Sequence, residues 1–306
     1  MSVLKGIVCA NITPFDENKN VDYESVKQLA RYLANSGIQG IYPLGTNGEG
    51  LALSKEERKK IAEVIVEEIQ DRVNVAIQCG TQMLDDTVEL VLHAKEIGAK
   101  AAGVVSPFFF RQTDRALIEY YSSILEAAGN FPIYIYNIPG NTNNDVRASV
   151  VKELKTKYTN LAGVKFSYPD IVRVCEYIRS GENRTDTLIG CDRLIYSAVK
   201  SGAVGTVTGP AAVFPEIFNR LWKLMESGHD KEALQLQYFI QGISERMSVF
   251  QEIPMIKHYL KEMGVIKTDI CRIPFYTVTD KEHEDMIEVI REVKADFTRK
   301  GQQWTE

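Results

Sequence analysis

The chain has 306 residues, a length that fits two average domains or one large α/β barrel. With 36 Lys+Arg against 41 Asp+Glu the net charge is −5, which argues against nucleic acid as a partner, since a duplex-binding surface needs a basic patch to displace counterions. At 44 % apolar and 25 % charged residues the composition is that of a globular protein, and no apolar run approaches the roughly 18 residues of a membrane span. The first residues carry no basic segment followed by an apolar one, so a signal peptide is not expected and a cytoplasmic location is.

In chain order, short apolar runs recur at 6–10, 39–44, 73–77, 101–105, 132–136, 161–166, 187–190 and 203–207. Near-continuous apolar runs of this length suit strands buried on both faces, as in a parallel sheet. Helical patterns alternate with them. Tyr23–Asn35 places Val26, Leu29, Ala30 and Leu33 on one stripe. Ser54 and Glu57 form a capping box that opens the next helix. The stretches 85–97 and 114–127 repeat the pattern, and Gly37, Gly98, Gly129 and Gly202 stand where helices end.

Eight strands, each followed by a helix, predict a (β/α)8 barrel over 1–225. The rival is a doubly wound open sheet. Residues 231–263 and 282–299 are helical and amphipathic with a proline-containing break. They predict a helical extension, 226–306, packed on the barrel.

The five cysteines form no C-x-x-C pair, and an odd number closes no disulfide framework, so they read as reduced packing residues. The four histidines form no H-x-E or H-E-x-x-H pattern, and no metal is expected. The chemistry falls to Lys, Tyr, Thr and backbone groups.

Barrel active sites lie at the C-terminal strand ends. Lys165 interrupts the apolar run at 161–166. Burying an ammonium is costly, so Lys165 is either paired or has a lowered pKa, and only a neutral amine attacks a carbonyl. Tyr136 ends the preceding strand at the same height and could relay protons. Tyr134 shares its face and reads as a packed aromatic. Gly45, Thr46 and Asn47 open a glycine-rich loop at 45–50 that suits a carboxylate, though a tight βα turn explains it equally. Phosphate ranks second.

The motifs GTNGE (45–49), SPFF (106–109), YNIP (136–139) and GVKFS (163–167), in this order, resemble the dihydrodipicolinate synthase/N-acetylneuraminate lyase family. The resemblance runs over nearly the whole chain. It implies a (β/α)8 class I lyase or aldolase, a homotetramer built from dimers, that forms a lysine imine with pyruvate or another 2-keto acid and needs no other cofactor. It also implies that Lys165 forms the imine, Tyr136 relays the proton, and Thr46 and Asn47 hold the keto-acid carboxylate.

The departures bear on substrate. The usual second threonine is Asn47. A relay tyrosine is replaced by Phe109, which has no hydroxyl. The arginine expected after YNIP is Asn141, and a neutral amide cannot replace a bidentate guanidinium. Arg111 or Arg147 could reach in by another path. The sialic-acid motif after the strand 7 glycine keeps only Asp192. Ser167 and Asp192 remain as hydroxyl-binding candidates, with Asp192 equally placed to cap a helix. Gly205 is read as leaving room on the inner barrel face. The pattern points to pyruvate plus an aldehyde, joined as a 2-keto-3-deoxy sugar acid. Alternatives are dihydrodipicolinate synthesis with an altered relay, N-acetylneuraminate cleavage, a keto-acid dehydratase, and a non-catalytic keto-acid sensor.

Overall fold

The computed structural model describes residues 2–182, 184–275 and 278–301. Eight parallel strands close into one barrel in sequence order. They are β1 (Gly6–Cys9), β2 (Gly40–Ile41), β3 (Asn74–Gln78), β4 (Ala101–Val105), β5 (Ile133–Asn137), β6 (Leu161–Phe166), β7 (Asp186–Ile189) and β8 (Gly205–Thr208). β1 pairs with β8 from Gly6↔Gly205 to Cys9↔Thr208, which closes the ring and excludes the open sheet.

The helices are α1 (Tyr23–Asn35), α2 (Lys55–Ile69), α3 (Leu84–Glu96), α4 (Asp114–Ala128), the short α5 (Pro139–Thr142), α6 (Ala148–Lys157), α7 (Ile171–Ile178), α8 (Ile195–Lys200) and α9 (Pro215–Glu226). After the barrel come α10 (Asp230–Met247), α11 (Glu252–Glu262) and α12 (Asp280–Lys300). The Ser54–Glu57 box forms on α2, and Gly37, Gly98, Gly129 and Gly202 all take positive φ.

Strand β2 is shorter than its apolar run. Pro43 lacks an N–H for the ladder, and Leu44 at φ 63° turns the chain out of the strand. The predicted helix over 231–263 is likewise interrupted, between α10 and α11, with Pro254 in the first turn of α11, where a missing N–H does no harm.

Alternation along the strands sorts the core into two. Val8, Tyr42, Ala76, Ala101, Tyr134, Tyr136, Leu188 and Val207 fill the barrel interior. Ile7, Cys9, Ile77, Ile133, Ile135 and Ile189 face the helices, in one apolar core that continues into Leu236, Ile256, Leu260 and Ile290 of the extension. Tyr134 packs low in the barrel, where its hydroxyl accepts from the Leu4 amide and donates to Asp186, each at 3.2 Å. All five cysteines are free. Among the described residues no helix is long and apolar enough to cross a membrane.

Three distant residues tie the extension together. His258 on α11 and His283 on α12 stack at 3.7 Å, and both meet Asp269, His258 Nδ1 at 2.8 Å and His283 Nε2 at 3.4 Å. Lys261 takes the other Asp269 oxygen at 3.1 Å. The sequence reading missed this grouping because its members are spread over two helices and a loop.

Candidate active site

β5 and β6 pair Tyr136 directly with Lys165 near the C-terminal end of the barrel. Side chains of paired residues project to the same face, so phenol and amine enter one cavity. Lys165 is 3 % exposed. Its Nζ lies 3.8 Å from the Tyr136 ring centre and 4.2 Å from that of Tyr42. Desolvation lowers its pKa to about 7, opposed only by the more distant charge of Glu252. The amine is therefore desolvated rather than paired. Tyr42, unremarked in the sequence, packs edge-on to Tyr136 at 6.0 Å and walls this side of the amine.

The Tyr136 hydroxyl lies 3.2 Å from Thr46 Oγ1. Burial raises the phenol pKa, and hydrogen bonds from Thr46 and Ser167 oppose the rise. The β2–α2 loop that carries Thr46 is held at both ends in the left-handed region, with Leu44 at φ 63° and Glu49 at φ 51°. Thr13 Oγ1 donates to Gly48 O at 2.7 Å, and Glu49 is clamped from the extension by Lys257 Nζ at 2.5 Å and the Arg272 amide at 2.9 Å. Among the described residues, the amides of Thr46 and Asn47 have no backbone acceptor, which leaves two donors for an incoming anion.

The lysine's cavity, about 240 Å³, is also lined by Ser167, Asp192, Arg193, Thr208, Ser244 and Glu252. Asp192 does not cap a helix: the cap position is Cys191, with no side-chain bond. Its carboxyl faces the cavity, where desolvation, then the neighbouring Glu252, raise its pKa to about 7, the nearby Thr208 hydroxyl opposing the rise. Glu252, its pKa raised by desolvation among the cavity walls although the residue itself reaches solvent, accepts from Asn47 Nδ2 at 2.6 Å. The Asn47 side chain is thus turned toward α11.

Two expected residues fall elsewhere. Gly205 does not leave room for substrate: it starts β8, away from the cavity, and a Cβ there would sit 2.2 Å from Gly6 O. Close approach of β1 and β8 requires it, and room at the strand start is not room at the mouth. Gly45 lines an adjoining cavity of about 420 Å³, with Asn141, Ile273 and Phe275, rather than the lysine's own. Arg147 pairs with Asp114 at 3.4 Å, and the guanidinium at the lysine's cavity is Arg193, which the sequence reading passed over.

A closed parallel barrel with a desolvated amine beside a phenol at its strand ends has the build of a lysine Schiff-base lyase. Comparison with known proteins makes the class specific. The chain matches the model of the dihydrodipicolinate synthetase family over residues 3–293. It is 33 % identical over 282 residues to a 4-hydroxy-tetrahydrodipicolinate synthase of Bartonella bacilliformis, covering 92 % of this chain and 95 % of that one. It superposes on the 4-hydroxy-tetrahydrodipicolinate synthase of Methylacidiphilum fumariolicum with a TM-score of 0.91 at 25 % identity, over 99 % and 100 % of the two chains. The fold is shared as closely with a sialic acid aldolase of Ruminococcus gnavus, at a TM-score of 0.92 and 24 % identity over 97 % and 98 %. The chain belongs to the dihydrodipicolinate synthetase family. It is an enzyme of the class I lyase/aldolase type.

Proposed function

We propose that this enzyme makes and breaks the C–C bond between pyruvate and an aldehyde, and that its substrate is a 2-keto-3-deoxy sugar acid. The observation that carries the reading is the desolvated Lys165 amine against Tyr136, in a cavity whose lining carries two carboxyls, Asp192 and Glu252.

The substrate carboxylate docks on the Thr46 and Asn47 amides and the Thr46 hydroxyl. Neutral Lys165 attacks C2, and the carbinolamine hydroxyl leaves as water with the Tyr136 phenol proton, giving a protonated imine beside a phenolate. That cation is an electron sink, so the C3–C4 bond breaks as the C4 hydroxyl proton passes to Tyr136. The aldehyde departs and the electron pair remains as an enamine. Protonation at C3 and hydrolysis release pyruvate and restore the amine. The imine carries the chemistry without another cofactor.

Condensation of pyruvate with aspartate semialdehyde is the second reading. The relatives' activity favours it, and Arg193 offers a guanidinium at the cavity. The acid pair disfavours a second carboxylate there, and Phe109 cannot relay a proton.

The test is to incubate the enzyme with pyruvate, reduce with borohydride and map the adduct. We expect the mass increment on the Lys165 peptide, and an unlabelled Lys165 removes the imine mechanism. Pyruvate release from a panel of 2-keto-3-deoxy acids, against pyruvate consumption with aspartate semialdehyde, decides between the substrates.

A further inference from the structure

Glu252 is the first residue of α11, so it reaches the cavity from the extension rather than from a barrel strand. Its Oε1 accepts the Asn47 amide at 2.6 Å, and this pair lies directly on the backbone of Gly209. A Cβ at 209 would stand 2.0 Å from Asn47 Nδ2 and 2.3 Å from Glu252 Oε1, so a side chain there would push the pair out of its present place. Among the described residues, Glu252 Oε2 has no hydrogen-bond partner. Asp192 lines the same cavity, with Thr208 beside it. The two acids and Ser167 surround the space beyond the amine with acceptors and one hydroxyl.

A substrate that enters this cavity takes water from both carboxyls, and that is expensive unless it supplies donors in return. An aliphatic aldehyde chain supplies none. A chain bearing vicinal hydroxyls supplies one O–H for each acid. We propose that Glu252 is a specificity-determining residue that, held by Asn47, accepts a hydrogen bond from a hydroxyl of the aldehyde portion of the substrate, with Asp192 taking a second. The proposal rests on the aldolase reading and assigns the residues that recognise the hydroxyls of the aldehyde portion. It also gives Asn47 its role at the departure from threonine: a threonine hydroxyl on a shorter side chain would not extend to the α11 carboxylate as the carboxamide does.

The test compares wild type and Glu252→Gln in the condensation direction, with pyruvate and either glyceraldehyde or propanal, which have the same carbon count. Glutamine keeps a carbonyl oxygen for Asn47 but presents an N–H₂ donor where the carboxylate offered an acceptor. We expect the ratio of kcat/KM for glyceraldehyde over propanal to fall roughly tenfold or more, the loss typical of a hydrogen bond to a charged group. Asn47→Leu, which frees Glu252 from its clamp, lowers the same ratio without changing residue 252. Melting temperatures of both variants identify any general loss of folding, which would lower both substrates together. A ratio within twofold of wild type in a folded Glu252→Gln, with the pyruvate adduct present on wild-type Lys165, overturns this proposal alone. An absent adduct in wild type overturns the aldolase reading and this proposal with it.

Discussion

In the proposed chemistry Lys165 is effective because the fold leaves its amine desolvated rather than paired. At about 7, its pKa leaves a large neutral fraction at physiological pH, whereas an unperturbed lysine is almost wholly protonated. Folding lowers this pKa, so the proton is lost from the folded state first, and nucleophile accumulates as pH rises. The rate of imine formation, followed by stopped-flow with pyruvate, is therefore expected to rise through about pH 7 and level off above it. The Glu252 charge holds the amine's pKa up, so Glu252→Gln moves that rise to lower pH, and an unmoved profile contradicts the coupling. Tyr136→Phe keeps the ring beside the amine and removes the hydroxyl. It is expected to lower kcat for pyruvate release by about 10²-fold or more, the scale of a lost general acid–base group. Both residues were legible in the sequence, since a lysine interrupts an apolar strand and alternation sets the tyrosine's face. Glu252 was not. An acidic residue in a first helical turn is ordinary, and only the three-dimensional return of α11 to the barrel mouth separates it from a surface glutamate.

At the scale of elements, local signals were read well and long-range ones poorly. Helix α1 has the expected bounds because Asp22 caps its start, accepting from the Ser25 amide, and Gly37 closes its end. The strands were found, but their ends moved by one to a few residues, which at β8 confused the start of the strand with its rim and misplaced Gly205. The clamp between the β2–α2 loop and α11 left no local trace. Lys257 and Glu49 are both 0 % exposed, and the ammonium is also bonded to Ile270 O at 2.8 Å. Removing one partner strands a buried charge, so Lys257→Met is expected to cost ~3–5 kcal/mol in chemical denaturation. Replacing both, in Glu49→Leu/Lys257→Met, is expected to recover part of that loss, and a double variant no better than the single one contradicts the account.

At the scale of the molecule, one rim of the barrel remains exposed and apolar. Phe109 is 78 % exposed, and its backbone is held at φ 70°, where a bulky residue is strained. Phe110, Leu51 and Ile273 add exposed apolar surface. On an exposed apolar surface of this kind self-association is expected, in line with the tetramer that the family resemblance implies. Sedimentation equilibrium is expected to give a dimer or tetramer, and Phe109→Asp to shift it toward smaller species. A wild-type monomer at all concentrations contradicts this.

The clamp also constrains how such an enzyme can be recombined. Asn47 and Glu49 meet Glu252 and Lys257 across most of the chain's length. A chimera with a single crossover between these two groups inherits its loop from one parent and its tail from the other. Even where both parents fold alike, such hybrids carry mismatched halves of one seat. Libraries that move residues 44–50 together with 248–262 keep the partners matched.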